Sequence, residues 1–124
     1  MTKEQYVSFE TSQLLKAKGF DWEVRSLYGE EGDMGFSSWS NNYNLKDDLF
    51  SAPTIQMALR WLKETHGLWV IPMPCENGGF YFEIYKRCGK IWKDNVYDHT
   101  EYEDYDEPEY AIEGGLNYCL TNIV

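Results

Sequence analysis

Residues 51–87 read SAPTIQMALRWLKETHGLWVIPMPCENGGFYFEIYKR, a helix followed directly by a hairpin. Ala52-Pro53-Thr54 marks the helix start with Thr54 as its cap, and His66-Gly67 marks its end. Met57, Ala58, Trp61, Leu62 and Thr65 recur at the three-then-four spacing of one buried face, whereas Arg60, Lys63 and Glu64 lie off it. Beyond Gly67, the alternation from Leu68 to Arg87 predicts two antiparallel strands turning at Asn77-Gly78. A two-residue turn there places Trp69, Ile71 and Met73 on one face with Phe80, Phe82 and Ile84. The opposite face then carries Leu68, Val70, Tyr81, Glu83, Tyr85 and Arg87. Pro72 and Pro74 cannot donate to a ladder, so their strand belongs at a sheet edge or is irregular there. A short third strand around Ile91–Lys93 extends the sheet.

Outward from this block, a first helix is predicted over Phe9–Lys18, capped by Ser8 and closed by Gly19. Its thin apolar stripe is Val7, Thr11, Leu14 and Leu15. EVRSLY (23–28) and FSSWSNNY (36–43) read as short strands joined by the glycine-rich turn Gly29–Gly35. A last helix begins near Glu107, with Asp106 as cap and Pro108 in the first turn. Its stripe is Ile112, Gly115, Leu116, Cys119, Leu120 and Ile123. Gly114 and Gly115 together cost this helix about 2 kcal/mol relative to alanine. A close approach to another element would offset the share of Gly115, and nothing local accounts for Gly114. The predicted class is α+β: a single domain over residues 1–124, with an antiparallel sheet of four or five strands and three helices, in the order α-β-β-α-β-β-(β)-α.

All eleven Lys and Arg residues lie at or before Lys93, and residues 94–124 carry nine carboxylates with no basic side chain. The formal net charge of −10 therefore belongs almost entirely to the C-terminal quarter. No run approaches the ~20 apolar residues of a membrane helix, and the N-terminus lacks the apolar stretch of a secretory signal. The expected location is the cytoplasm. Cys75, Cys88 and Cys119 are odd in number and form no CxxC pair, which fits reduced, structural thiols. Five Trp, ten Tyr and six Phe must fill a core or present a recognition face.

The segments VSFETSQLLKAKGFD (7–21), SAPTIQMALRWLKETHGLWVIP (51–72) and YAIEGGLNYCLTNIV (110–124) stand in a recognisable order. The middle one carries Ala52, Pro53, Thr54, Met57, Trp61, Leu62, Lys63, Glu64 and His66. The last carries Tyr110, Ala111, Gly115 and Leu116. Together they resemble a family of small proteins of Bacteroidetes genomes and their phages and mobile elements. The resemblance covers about half the chain. EPEYAIEGGL departs from the acidic-alanine run more usual there. That family has no assigned activity, so the resemblance implies a phage- or element-associated accessory protein and transfers no catalytic residue.

Three groups of residues invite a functional reading. The first is the acidic run containing Asp98, Glu101, Glu103, Asp104 and Asp106, interleaved with tyrosines. Carboxylates arrayed like phosphates can occupy a basic groove, so the run fits an acidic DNA-mimic inhibitor of a nucleic-acid-binding enzyme. The same acids also suit the start of a helix, where negative charge is favoured. Asp104, Asp106 and Glu113 echo a calcium loop but lack its central glycine, so no metal is expected. The second group is Trp39, Asn41, Asn42 and Tyr43, rigid aromatics beside amides, as on adaptable recognition surfaces. Here the bland alternative is a strand splitting Phe36, Ser38 and Ser40 from Ser37, Trp39 and Asn41 between core and solvent. The third group is the aromatic outer hairpin face, with Tyr81 and Tyr85.

His66 and His99 sit in no metal or triad spacing, His66 being suited to the carbonyls at its helix end. No clustered Lys/Arg stripe supports direct nucleic-acid binding, and no glycine-rich phosphate loop or nucleophile elbow implies a cofactor or an enzyme. The resulting expectation is a non-enzymatic, protein-binding module, monomeric or homodimeric, whose binding surface combines Tyr81 and Tyr85 of the outer hairpin face with Trp39 and Tyr43. The DNA mimic is the alternative.

Overall fold

Thr54 caps the central helix as its sequence requires, its Oγ1 accepting the Met57 amide at 3.1 Å. The structure is a computed structural model that describes residues 5–76, 78–88, 91–95 and 105–124, with 91–95 described at the level of the backbone. Along the chain lie α1 (Phe9–Ala17), β1 (Val24–Tyr28), β2 (Met34–Asn41) and β3 (Phe50–Ser51). They are followed by α2 (Ile55–His66), β4 (Leu68–Pro74), β5 (Phe80–Cys88), β6 (Ile91–Asn95) and α3 (Pro108–Tyr118). The class is α+β with three helices, as expected. The strands fall into two three-stranded antiparallel sheets, β2-β1-β3 and β4-β5-β6, where the sequence reading joined them in one. The chain divides into two compact units, Met1–Trp61 and Leu62–Val124.

In the first unit Ser8 accepts the Thr11 amide at 3.2 Å, and Gly19 takes the left-handed φ of +90° that ends α1. Phe9 packs tilted against Tyr28 and edge-to-face against Phe50, with ring centroids at 5.5 and 5.4 Å. The buried face of α1 is Thr11, Ser12 and Leu15, with Leu14 only half-buried. Lys16 lays its ammonium over Phe50 and donates to the carbonyls of Lys46 and Leu49 at 2.6 and 2.8 Å, pinning that loop to α1. The buried hydroxyls have partners: Ser12 Oγ donates to the Phe9 carbonyl, Ser26 Oγ donates to that of Ala52, and Ser51 Oγ accepts from the Tyr43 amide. The α2 stripe starts two residues earlier than predicted. Ile55, Ala58, Leu59 and Leu62 form it, Trp61 packs edge-on to Phe20, and Thr65 is exposed.

In the second unit β4 is an edge strand, which suits Pro72 and Pro74. The hairpin register differs from the predicted one by a single residue. Cys75 donates to the Gly79 carbonyl at 2.8 Å and Gly78 to that of Cys75 at 3.1 Å, so the loop has three residues, with Gly78 at φ +92°. A three-residue loop needs a left-handed residue at its last position, and glycine supplies it. The slip exchanges the two faces of β4. Leu68 and Val70 join Phe82 and Ile84 in the core, while Trp69, Ile71 and Met73 lie opposite Tyr85, Glu83 and Tyr81 on the outer face.

Helix α3 packs across β4 and β5. A Cβ on Gly115 would run into Val70 Cγ1 and stand 3.1 Å from Phe82 Cδ1, so this glycine sets the helix-to-sheet distance. Gly114 also has a reason now: the Tyr105 ring lies against it, with Cζ 2.7 Å from where a Cβ would stand. Tyr105 is fixed by a reciprocal backbone pair with Phe80, both bonds 2.8 Å. The α3 cap position belongs to Glu107, which makes no side-chain capping bond; Asp106 lies outside the helix and exposed. After Tyr118 the backbone widens into a π turn, Cys119–Ile123, and the Val124 amide reaches back to the Cys119 carbonyl at 2.9 Å. The added residue per turn carries Ile123 off the buried stripe and into solvent.

Candidate functional site

The first unit presents its aromatics on a bulged edge strand. In the β1–β2 ladder Ser26 faces Phe36 and Val24 faces Asn41, so four residues of β2 stand against Arg25 alone. The surplus buckles outward and carries Trp39 with it. Trp39 is 79% exposed and Phe36 68% exposed, so the alternative, a strand split between core and solvent, does not occur. Leu45, also 79% exposed, follows in the short turn Tyr43–Leu45.

Hydrogen bonds hold the backbone beneath Trp39 from several sides. Its amide donates to Ser37 Oγ at 3.2 Å, and its carbonyl accepts from the Tyr43 hydroxyl at 3.0 Å. Asn41 Oδ1 accepts the Asn42 amide at 2.8 Å, and Asn42 Oδ1 accepts the Asn44 amide at 3.1 Å. The structure thus brings Trp39, Asn41, Asn42 and Tyr43 together as predicted, with a different division of labour. The amides and the tyrosine hydroxyl shape the loop, and the indole ring is what faces outward. Asn44 was missed: its Nδ2 donates to the Phe20 carbonyl at 2.9 Å and its Oδ1 accepts the Ser51 amide at 2.8 Å, tying the loop to the unit. Its only sequence signal was its place in the amide-rich run. Phe36 and Leu45 were missed as exposed residues because neither breaks a strand or turn pattern.

Tyr81 and Tyr85 belong to the second unit, half-buried on the outer hairpin face. The corrected register changes their company from Leu68 and Val70 to Trp69, Ile71 and Met73. Tyr85 donates its hydroxyl to Glu83 Oε1 at 2.8 Å. Lys63, Trp69, Ile71 and Tyr85 line a groove of about 400 Å³ on this face. The Lys63 ammonium stands 5.7 Å from the Trp69 ring centroid, near the limit of a cation–π contact.

Of the acidic residues singled out, Asp98, Glu101, Glu103 and Asp104 lie outside the described residues, as does His99; Asp106 is exposed. His66 is half-buried at the end of α2. Of the three cysteines, Cys88 is exposed, Cys75 half-buried and Cys119 buried. Burial pushes the Cys119 thiol up to about 12, which keeps it protonated and unreactive. Among the described residues, no group of three or more His, Cys, Asp or Glu is placed to hold a metal ion, and no helix is long and apolar enough to cross a membrane. No family model, curated protein or solved structure matches this chain.

Proposed function

We propose that this chain is a non-enzymatic, cytoplasmic protein-binding module, an accessory protein of a phage or mobile element, and that Trp39 anchors it to its partner. One observation carries the reading: a tryptophan is held out at 79% exposure on a bulge whose backbone is hydrogen-bonded in place. A rigid, exposed aromatic loses little conformational freedom on docking, and such residues dominate the energetics of protein interfaces. Phe36 and Leu45 supply further apolar surface from the same strand and turn. The phage or mobile-element setting rests on the three segments at 7–21, 51–72 and 110–124.

Affinity capture from a host lysate, at low and at physiological salt, with wild-type chain and with Trp39→Ala, tests this. An aromatic anchor gives a captured protein that survives the salt increase and is lost with Trp39→Ala. An acidic mimic gives the reverse, a basic protein released steeply by salt and indifferent to Trp39, and that result would sink the anchor reading.

A further inference from the structure

We propose a second, separate site: the groove on the outer hairpin face binds a small amphiphilic carboxylate, its hydrocarbon body on Trp69, Ile71 and Tyr85 and its head group at Lys63. Trp69 and Tyr85 are directly opposed across β4 and β5, and Ile71 is two residues on along the same face. Those three walls are apolar or aromatic, and among the described residues the only charged side chain lining the groove is Lys63, through its ammonium. At 5.7 Å from the Trp69 centroid that ammonium is loosely engaged and can turn to a carboxylate while its stem stays on the indole.

A second cation stands at the same end. Arg87 is two residues beyond Tyr85, hence on the same face of β5, and its Cβ lies 3.6 Å from where a Cβ on Gly67 would be. The opposite sign lies the other way along the face, where Glu83 faces Ile71 and accepts from the Tyr85 hydroxyl. Among the described residues the face is therefore graded from cationic at Lys63 and Arg87 to anionic at Glu83, which orients an acid head-first toward Lys63. A groove of about 400 Å³ lies at the lower end of small-molecule sites, sized for one aromatic ring or a medium alkyl chain.

The probe is octanoate, with octanamide as its uncharged counterpart, titrated into the full chain while the assigned indole N–H resonances are followed by NMR. Trp69 is the reporter in the groove, and Trp22, Trp39 and Trp61 serve as internal controls. Octanoate should shift the Trp69 resonance saturably and leave those of Trp22, Trp39 and Trp61 in place. Octanamide should bind about fivefold more weakly, the ratio an exposed charge pair supplies. Lys63→Met should lower that preference, leaving only the share of Arg87, while keeping the octanamide titration; Lys63 is exposed, so the fold tolerates the change. Three outcomes would each overturn the site. They are no saturable shift by about 10 mM, tenfold above a weak millimolar constant, shifts shared by Trp22, Trp39 and Trp61, or an acid preference unchanged in Lys63→Met. None of them bears on Trp39.

Discussion

Replacing Gly115 with alanine sets two known magnitudes against each other. In an isolated helix the change is favourable by about 1 kcal/mol, because alanine has far less backbone entropy to lose. In this chain the new methyl would press on Val70 Cγ1 and sit 3.1 and 3.2 Å from Phe82 Cδ1 and Cγ. Val70 is β-branched, buried, and paired to Ile84 in mid-hairpin, so it has no rotamer to retreat into. Overpacking of this kind costs about 1–3 kcal/mol, and the stiffness of Val70 argues for the upper end. The net expectation is a loss of about 1–2 kcal/mol, or a melting temperature lower by about 4–8 °C for a domain of this size.

Urea unfolding followed by circular dichroism would measure the loss, and a cycle with Val70→Ala would assign it. With the Val70 Cγ atoms gone, Gly115→Ala should become neutral or stabilising, giving a coupling of about 1–3 kcal/mol. If Gly115→Ala alone raised stability by its helix-propensity value, α3 would not approach the hairpin as described.

The hairpin register makes a sharper comparison between neighbours. Val70→Asp buries an unpaired carboxylate and should cost more than about 4 kcal/mol, whereas Ile71→Asp, on the outer face, should cost about 1; a two-residue turn would reverse that order in the same unfolding assay. Cys119 makes a pH prediction. Its folded value is raised to about 12 from an ordinary 9.0, so the unfolded chain releases this proton first. The stabilisation is therefore fully present below pH 9 and shrinks by about 1.4 kcal/mol per pH unit above it. Wild type minus Cys119→Ala, measured at pH 8 and pH 10, isolates that slope, and an equal difference at both would contradict the burial assigned to the thiol.

The parts of the fold that sequence made legible are those decided within a few residues. Thr54, Ser8 and Gly19 were readable as caps because capping is a contact between near neighbours. Pro72 and Pro74 announced an edge strand because a missing donor is local chemistry. Gly114 was visible only as a cost and Gly115 as a cost that a close approach would offset, but the neighbours concerned, Tyr105, Val70 and Phe82, are brought there by the tertiary fold. The hairpin failed on one residue: Asn77-Gly78 favours a two-residue turn, and the choice of a three-residue loop came from the burial of Leu68, Val70, Phe82 and Ile84 together. Strand β3, at two residues, is too short to leave a pattern. The same rule divides the sites. Trp39 to Tyr43 were legible because they are contiguous, while the groove needed Lys63, Trp69, Ile71 and Tyr85 from three elements and the correct register.

The claim that matters most is that Trp39 is an anchor for another protein. A photoreactive benzoyl-phenylalanine replacing Phe36, on the same strand and already 68% exposed, would report on that surface inside the host. The account predicts one discrete cross-linked species, insensitive to moderate salt, whose yield falls about tenfold or more when Trp39→Ala is added, the loss expected of an interface anchor. No discrete species, or one whose yield is unchanged by Trp39→Ala, would contradict it.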